Sequence, residues 1–170
     1  PSTGRAIGGL SMAVDRAPAA IVSASVDLPV EALPALFGDA PVPWRADATA
    51  DFYDLPLHAV PEIADREIAG ALSGRISFLG INDRPHAKVE LVIPSLRVQD
   101  SYLKATMKGE VDASDEKAGA SSQARLQVEL EDQAEGRLQV LGYGGVTFAD
   151  RVVPQPDWSS SGGLIVGAKD

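Results

Sequence analysis

The stretch LKATMKGEVD, residues 103–112, alternates apolar and polar side chains along nearly its whole length. Its apolar members are Leu103, Ala105, Met107 and Val111. Successive side chains of a β-strand point to opposite faces of the sheet, so a strand with this pattern has one apolar face and one wetted face. The stretch therefore predicts a strand of an antiparallel sheet in which each face has its own chemistry.

The same alternation recurs on both sides of this stretch. It is found at residues 20–28, 46–54, 72–78, 87–93 and 124–131, and in shorter form at 136–141, 146–152 and 163–168. Segments rich in Gly, Pro, Asn and Asp separate these runs, as at 82–85 and 142–145, and they predict turns. Roughly eight or nine strands at this spacing are typical of an all-β fold, and we expect one long, mainly antiparallel sheet.

A repeated decapeptide interrupts the alternation. DLPVEALPAL at 27–36 and DLPLHAVPEI at 54–63 share five of ten residues. Within each copy, a proline lies near the start and a glycine follows the end of a possible helix, at residues 29–37 and 61–69. We expect these segments to form one or two short helices or turns that pack across the rim of the sheet.

The apolar face of the sheet must either be buried within the protein or bind an apolar ligand. All-β chains bury such a face in a closed sandwich or barrel, or leave it as the lining of a half-open trough. Helices as short as those expected here could cover only the ends of the sheet. Alternation favours two interpretations: a half-open sheet that binds apolar ligands, or a closed β-sandwich that acts as a protein-interaction module of a secreted or surface protein.

The composition of the chain excludes several kinds of partner and binding site. The chain has 15 basic and 24 acidic residues and a net charge of -9, which repels a phosphate backbone, so we expect no nucleic-acid partner. It contains no Cys, which excludes disulfides and thiolate metal sites. We interpret residues 1–170 as a single β-rich domain, and as a piece of a longer repetitive chain, with 1–15 and 155–170 the least defined parts.

No residue pattern indicates catalysis or metal binding. His58 and His86 are the only histidines, and Glu90, on the same strand face as His86, would stand about 13 Å from it, too far to share a metal. The acidic residues within 112–116 lack the order of a calcium loop, and the glycines at 142–145 predict a hairpin turn rather than a phosphate-binding loop. We therefore predict no catalytic, cofactor-binding or metal-binding residue, and no enzyme activity.

The segment GALSGRISFLG at 70–80, followed by Pro85 and a strand to Ile93, carries a more specific pattern. It resembles the recurring G-x-L-x-G-x-I-x-F-x-G unit and the proline-containing turn of TamB-like proteins of the AsmA-like superfamily. The preceding Leu-Pro-Leu at 55–57 is similar to the segment that comes before such a unit in that family. The resemblance is most specific over residues 54–93 and is compatible with the alternating strands that follow.

This resemblance implies a β-taco, a long curled sheet with an apolar concave face, in the periplasm of a bacterium whose inner membrane anchors the parent protein. It also implies a role in phospholipid transport between the two membranes, in outer-membrane protein assembly, or in both. The partners would be phospholipid acyl chains or hydrophobic β-strands in the groove, and an outer-membrane barrel protein. The groove would be lined by Leu72, Ile76, Phe78, Val89, Leu91, Ile93, Leu103, Met107, Val111, Leu126, Val128 and Leu130.

Overall fold

The computed structural model describes residues 3–31, 44–64, 66–81, 83–112, 122–132, 136–149, 153–156 and 163–169. Eleven β-strands make up most of these residues. In chain order they are β1 (Thr3–Val14), β2 (Ala17–Pro29), β3 (Arg45–Pro56), β4 (Ile68–Ala69), β5 (Ala71–Ile81), β6 (His86–Val98), β7 (Ser101–Asp112), β8 (Ser122–Asp132), β9 (Arg137–Ala149), β10 (Val153–Pro156) and β11 (Gly163–Lys169).

All the described strands belong to one antiparallel sheet. The order across it is β1-β2-β3-β5-β6-β7-β8-β9-β10, while β11 also pairs with β9 and β4 pairs with β6. Among these strands, β1 pairs only with β2, and β10 and β11 pair only with β9, so the sheet does not close on itself. The expected all-β, open antiparallel fold is confirmed. The described strands form no second sheet, so they do not form the closed sandwich.

The first strand was not predicted from the sequence. β1 and β2 form a hairpin whose last paired residues are Val14 and Ala17. The two residues between them, Asp15 and Arg16, have φ angles of 51° and 70°. Positive φ at both positions is the geometry of the tight type I′ turn, which Asn and Gly usually occupy. The turn contains neither of these residues, and this part of the chain therefore carries no strong hairpin signal.

The hairpin turn predicted at residues 142–145 is wrong. β9 runs through these residues without a break, and Gly142 and Gly144 pair with Leu126 and Ala124 of β8. β11 pairs with the other side of β9 over residues 137–143. A glycine weakens a strand by only about 1 kcal/mol, which strand pairing on both sides can offset. The short strands predicted at 136–141 and 146–152 are thus parts of one long strand up to Ala149.

The second decapeptide forms a rim segment, residues 55–64, at one end of the sheet. After Pro56 the chain makes a 3₁₀ turn at Leu57–Ala59 and a single helical turn, α1, at Pro61–Ala64. The helix predicted over 61–69 is therefore shorter than expected, because the chain returns to the sheet as β4. Leu55 and Leu57 are each only 5% exposed, so this segment does seal the rim.

The first decapeptide can be compared only in part. β2 extends to Pro29, and the next two residues form a 3₁₀ turn. Most of the helix predicted at 29–37 lies outside the described residues. The described part shows the same change as the second copy, in which a strand ends at a proline and a tight turn begins.

Two glycines of the 70–80 segment occupy positions that no other residue could fill. Gly74 has a φ of 135°, and a Cβ atom there would collide with the carbonyl oxygen of Glu90 on β6. Gly80 has a φ of 63°, and a Cβ there would collide with the carbonyl oxygen of Arg84. Gly74 lets β5 approach β6 closely near the rim segment, and Gly80 lets the other end of β5 approach the Arg84 carbonyl closely.

Candidate binding surfaces

All twelve residues predicted to line a groove lie on one face of the sheet, here called the apolar face. The strand register sets them side by side, as in the pairs Ile76 with Val89, and Leu91 with Met107. The row through Met107 crosses nine strands and contains only apolar residues: Met12, Ala20, Phe52, Gly74, Leu91, Met107, Val128, Val140 and Val166. At about 4.8 Å per strand, this row is about 38 Å wide.

Most side chains of the apolar face remain at least partly exposed in the described part of the chain, with Ala20 and Ala87 as buried exceptions. None of the twelve predicted residues is buried, and Phe78 and Leu126 are 38% and 45% exposed. The buried apolar residues of the described regions are few and mostly small: Ala19, Ala20, Leu55, Leu57 and Ala87. A folded chain of this length ordinarily has about 8,000 Å² of accessible surface, whereas this one has 11639 Å².

The apolar face extends beyond the twelve residues predicted to line a groove. The strand register also places five other exposed residues on this face: Leu10 and Met12 on β1, Val22 on β2, and Leu138 and Val166 near the other edge. The alternation of small and apolar residues at positions 6, 8, 10 and 12 was the available signal for β1. Three glycines in the first ten residues obscured it, because glycine is uncommon in strands.

The opposite face, here called the charged face, consists of cross-strand rows with alternating charge. One such row is Asp51, Arg75, Glu90 and Lys108, and another is Lys88, Glu110 and Arg125. Opposite charges directly across from each other stabilise a register, and a shift by one residue would bring the apolar residues onto this face. The charges therefore help to keep the two faces chemically distinct.

One ion pair on this face is particularly close. Arg75 donates a hydrogen bond from Nε to the Asp51 carboxylate at 2.5 Å. This hydrogen bond and the nearby negative charge raise the pKa of Arg75 above its usual value. The pair joins β3 to β5 on the side of the sheet opposite Ile76 and Ala50.

A cavity of about 780 Å³ lies against β6, β7, β8, β9 and β11. On each of β6, β7 and β9, the cavity is lined by a run of consecutive residues. The residues at both ends of each run belong to the charged face, as do Lys88 and Glu90 on β6, and Lys108 and Glu110 on β7. The apolar row through Met107 contributes no lining residue. The cavity is therefore a hollow of the charged face, with the backbone between these rows as its floor. No pattern in the sequence indicates this hollow.

The histidines do not form a site. His58 is exposed in the rim segment, and His86 Nε2 lies 3.8 Å from a carboxylate oxygen of Glu110. Within the part of the chain that is described, no three His, Asp or Glu residues are grouped so that they could hold a metal ion. Asp115 and Glu116 of the acidic segment lie outside the described residues.

No helix in the described ranges is long and apolar enough to cross a membrane. No family model, curated protein or solved structure matches this chain. The two faces of the sheet are therefore the basis for assigning a function.

Proposed function

We propose that this chain is a segment of a periplasmic bridge whose apolar face shields the acyl chains of phospholipids between the inner and outer membranes. The parent protein would be anchored in the inner membrane and would meet an outer-membrane barrel protein. The single observation that carries the proposal is the continuous, uncovered apolar face, which crosses nine strands in one row. No catalytic group is needed for this role.

The chemistry of the face suits flexible aliphatic chains. It consists mainly of Ala, Val, Leu, Ile and Met, and it includes the aromatic side chains of Phe52 and Phe78. Burying one methylene gains about 0.8 kcal/mol, so a dozen methylenes lying on an open face, covered on one side only, would gain about 5 kcal/mol. Such binding is weak enough for a chain to slide and strong enough to keep it out of water.

The charged face supports the same role. Large exposed apolar surfaces cause aggregation unless a ligand or partner covers them. The net charge of -9 and the alternating charges on the other face keep the sheet hydrated on one side while the apolar face holds its ligand. The same negative charge argues against nucleic acid as the partner.

Assembly of outer-membrane proteins is a second candidate function, and the first edge strand favours it. β1 pairs with β2 on one side and with no described strand on the other. Its side chains are strongly exposed on both faces, with Ile7 at 75% and Leu10 at 73%. An extended hydrophobic strand of another protein could add to such an edge through backbone hydrogen bonds.

A crosslinking experiment tests the lipid proposal. The purified chain is incubated with a phospholipid that carries a photoreactive group in its acyl chain, and the labelled protein is quantified. We expect Met107→Glu and Ile76→Glu each to reduce crosslinking at least about fivefold, because a charged carboxylate on the face would have to be desolvated beneath the acyl chain.

The matched control is Ser77→Glu. Ser77 neighbours Ile76 on β5 but lies on the charged face opposite Lys88, so a carboxylate there is well placed. This variant should crosslink like the original chain. Undiminished crosslinking of both apolar-face variants, with an unchanged β-sheet circular dichroism spectrum, would exclude the lipid role. In a further arm, a hydrophobic peptide that binds along β1 is added. If its binding abolishes lipid crosslinking, the assembly function is favoured.

A further inference from the structure

The hollow of the charged face has two ends of different chemistry. At one end, on β7 and β8, its lining includes Lys108 and Arg125. At the other end, on β9 and β11, it includes Leu141 and Ile165, which lie directly opposite each other. Tyr143 stands between the two ends, paired with Arg125 across the strands. Three strand spacings, or about 14 Å, separate β7 from β11.

The two cations at the polar end lie directly across the strands from carboxylates, Lys108 from Glu90 and Arg125 from Glu110, but the carboxylates contact other residues. Lys88 Nζ lies 3.1 Å from a carboxylate oxygen of Glu90, and Glu110 lies 3.8 Å from His86. Glu90 thus forms an ion pair with Lys88, and Glu110 has the His86 ring nearby. By contrast, Lys108 and Arg125 make no side-chain hydrogen bond or ion pair with any residue in the described ranges.

The register sets these two cations at a distance that one anion can bridge. Lys108 pairs with Gln127, and Arg125 pairs with Glu110, so Lys108 and Arg125 are diagonal neighbours on adjacent strands. Diagonal neighbours on one face of a sheet stand about 7–8 Å apart at the backbone. Long Lys and Arg side chains converge over this distance, and the Arg guanidinium binds phosphate oxygens in a bidentate manner.

The apolar end is open to a ligand rather than filled by the protein. Ile165 is 56% exposed and Tyr143 is 52% exposed, although both line the hollow. An aliphatic group that covered Leu141 and Ile165 would remove their side chains from water, and the Tyr143 ring would flank it. The volume of about 780 Å³ lies within the usual range for small-ligand sites.

We propose that this hollow binds an amphipathic phosphate monoester, with the phosphate at Lys108 and Arg125 and the apolar group on Leu141 and Ile165. A phosphate monoester carries close to two negative charges at neutral pH, so it attracts Lys108 and Arg125 more strongly than a singly charged carboxylate or sulfate does. The site lies on the face opposite the one proposed to hold acyl chains, and it does not depend on that function.

The test is isothermal titration calorimetry with three probes. They are dihexanoyl phosphatidic acid, which is a phosphate monoester with short tails, inorganic phosphate, and hexyl sulfate as a singly charged amphiphile. We expect dihexanoyl phosphatidic acid to bind at least about tenfold more tightly than either of the other two, because only this probe uses both ends of the hollow. Equal affinity for inorganic phosphate would overturn the amphipathic assignment, and equal affinity for hexyl sulfate would overturn the phosphate assignment.

Variants locate the binding. The double variant Lys108→Gln and Arg125→Gln should weaken binding of dihexanoyl phosphatidic acid by about tenfold or more. The control is Lys104→Gln with Arg137→Gln, which removes the same charges from the same face at residues already paired with Glu131 and Glu129. This control should change the affinity by less than about twofold, since it leaves the hollow intact. An unchanged affinity in the first variant, or an equal loss in the control, would overturn the site.

Two further variants separate this site from the lipid-shielding face. Ile165→Asn should weaken binding of dihexanoyl phosphatidic acid and leave that of inorganic phosphate unchanged; an unchanged affinity for the lipid would overturn the placement of the apolar group. Ile76→Glu, on the apolar face, serves as a background in which acyl chains bound to that face no longer contribute. In this background, Lys108→Gln with Arg125→Gln should still weaken binding of dihexanoyl phosphatidic acid by about tenfold or more. Complete loss of binding in Ile76→Glu alone would assign the probe to the apolar face and overturn the separate site.

Discussion

The rim segment and the middle of the apolar face are built from the same aliphatic residues but differ in burial. Leu55 and Leu57 at the rim are each 5% exposed, whereas Phe78 and Leu126 in the middle are 38% and 45% exposed. Burial at the rim stabilises the fold, because these side chains are removed from water in the free protein. The middle depends on strand pairing instead, and its apolar side chains remain available to a ligand. Substitutions in the two regions should therefore have different effects.

The largest effect is expected at Gly74, where the rim meets the middle. A bulge separates the pairs Phe52 with Gly74 and Leu55 with Leu72 at this position. Gly74→Ala should lower the free energy of unfolding by about 4 kcal/mol, because a Cβ collides with β6 and the backbone angle suits only glycine. Urea unfolding followed by circular dichroism measures this.

Gly8→Ala is the control for that substitution. A Cβ at Gly8 would meet nothing within 4 Å, so this variant should be as stable as the original chain or slightly more so. A small effect at Gly74 would mean that β5 and β6 are farther apart there, and that the rim and the middle are not joined by this bulge.

The contrast between the regions is tested most directly by a pair of truncations. Leu57→Ala should cost about 3 kcal/mol of unfolding free energy, since it leaves a space in the buried rim. Met107→Ala should cost less than about 1 kcal/mol, because the side chain is only partly buried in the free chain. Thermal and urea unfolding of both variants give the comparison. Equal losses would show that the middle of the face is sealed in solution.

A smaller, stabilising effect is expected in the β1–β2 hairpin. Arg16 has a φ of 70°, which strains a residue with a side chain. Arg16→Gly should raise the unfolding free energy by about 0.5–1 kcal/mol by supplying the residue that a type I′ turn favours. If β1 is held in the sheet by its pairing with β2, as we infer, the increase in unfolding free energy should appear in the unfolding of the whole chain. A loss of stability would contradict the turn geometry.

The smallest effect is expected for the ion pair between Arg75 and Asp51 on the charged face. Arg75 is well exposed, and exposed ion pairs contribute little because water and salt screen them. Arg75→Gln should shift the unfolding midpoint less than Leu57→Ala or Arg16→Gly, and the shift should shrink further in high salt. A midpoint change comparable to that of Leu57→Ala would show that the charged face, rather than the rim, holds the sheet together.

Much of this fold was predictable because its strands are long and alternate strictly. The stretch at 103–112 and its neighbours carry the period of two, and the structure places their apolar residues on one face, as predicted. The predictions were wrong at positions where the preferences of individual residues disagree with the strand pairing. Glycines at 142–145 indicated a turn inside β9, and a turn without glycine hid β1. In both places, pairing with neighbouring strands outweighs the preference of the individual residues.

By itself, the sequence determined which residues share a face, since that follows from the alternation of side chains along each strand. It did not determine which strands are neighbours, where each strand ends, or that the described strands form one open sheet. Only the tertiary structure brought Lys108 and Arg125 to Leu141 and Ile165 in one hollow. These residues lie far apart in the chain, and hydrogen bonding between strands sets their distance in a way that no local pattern encodes.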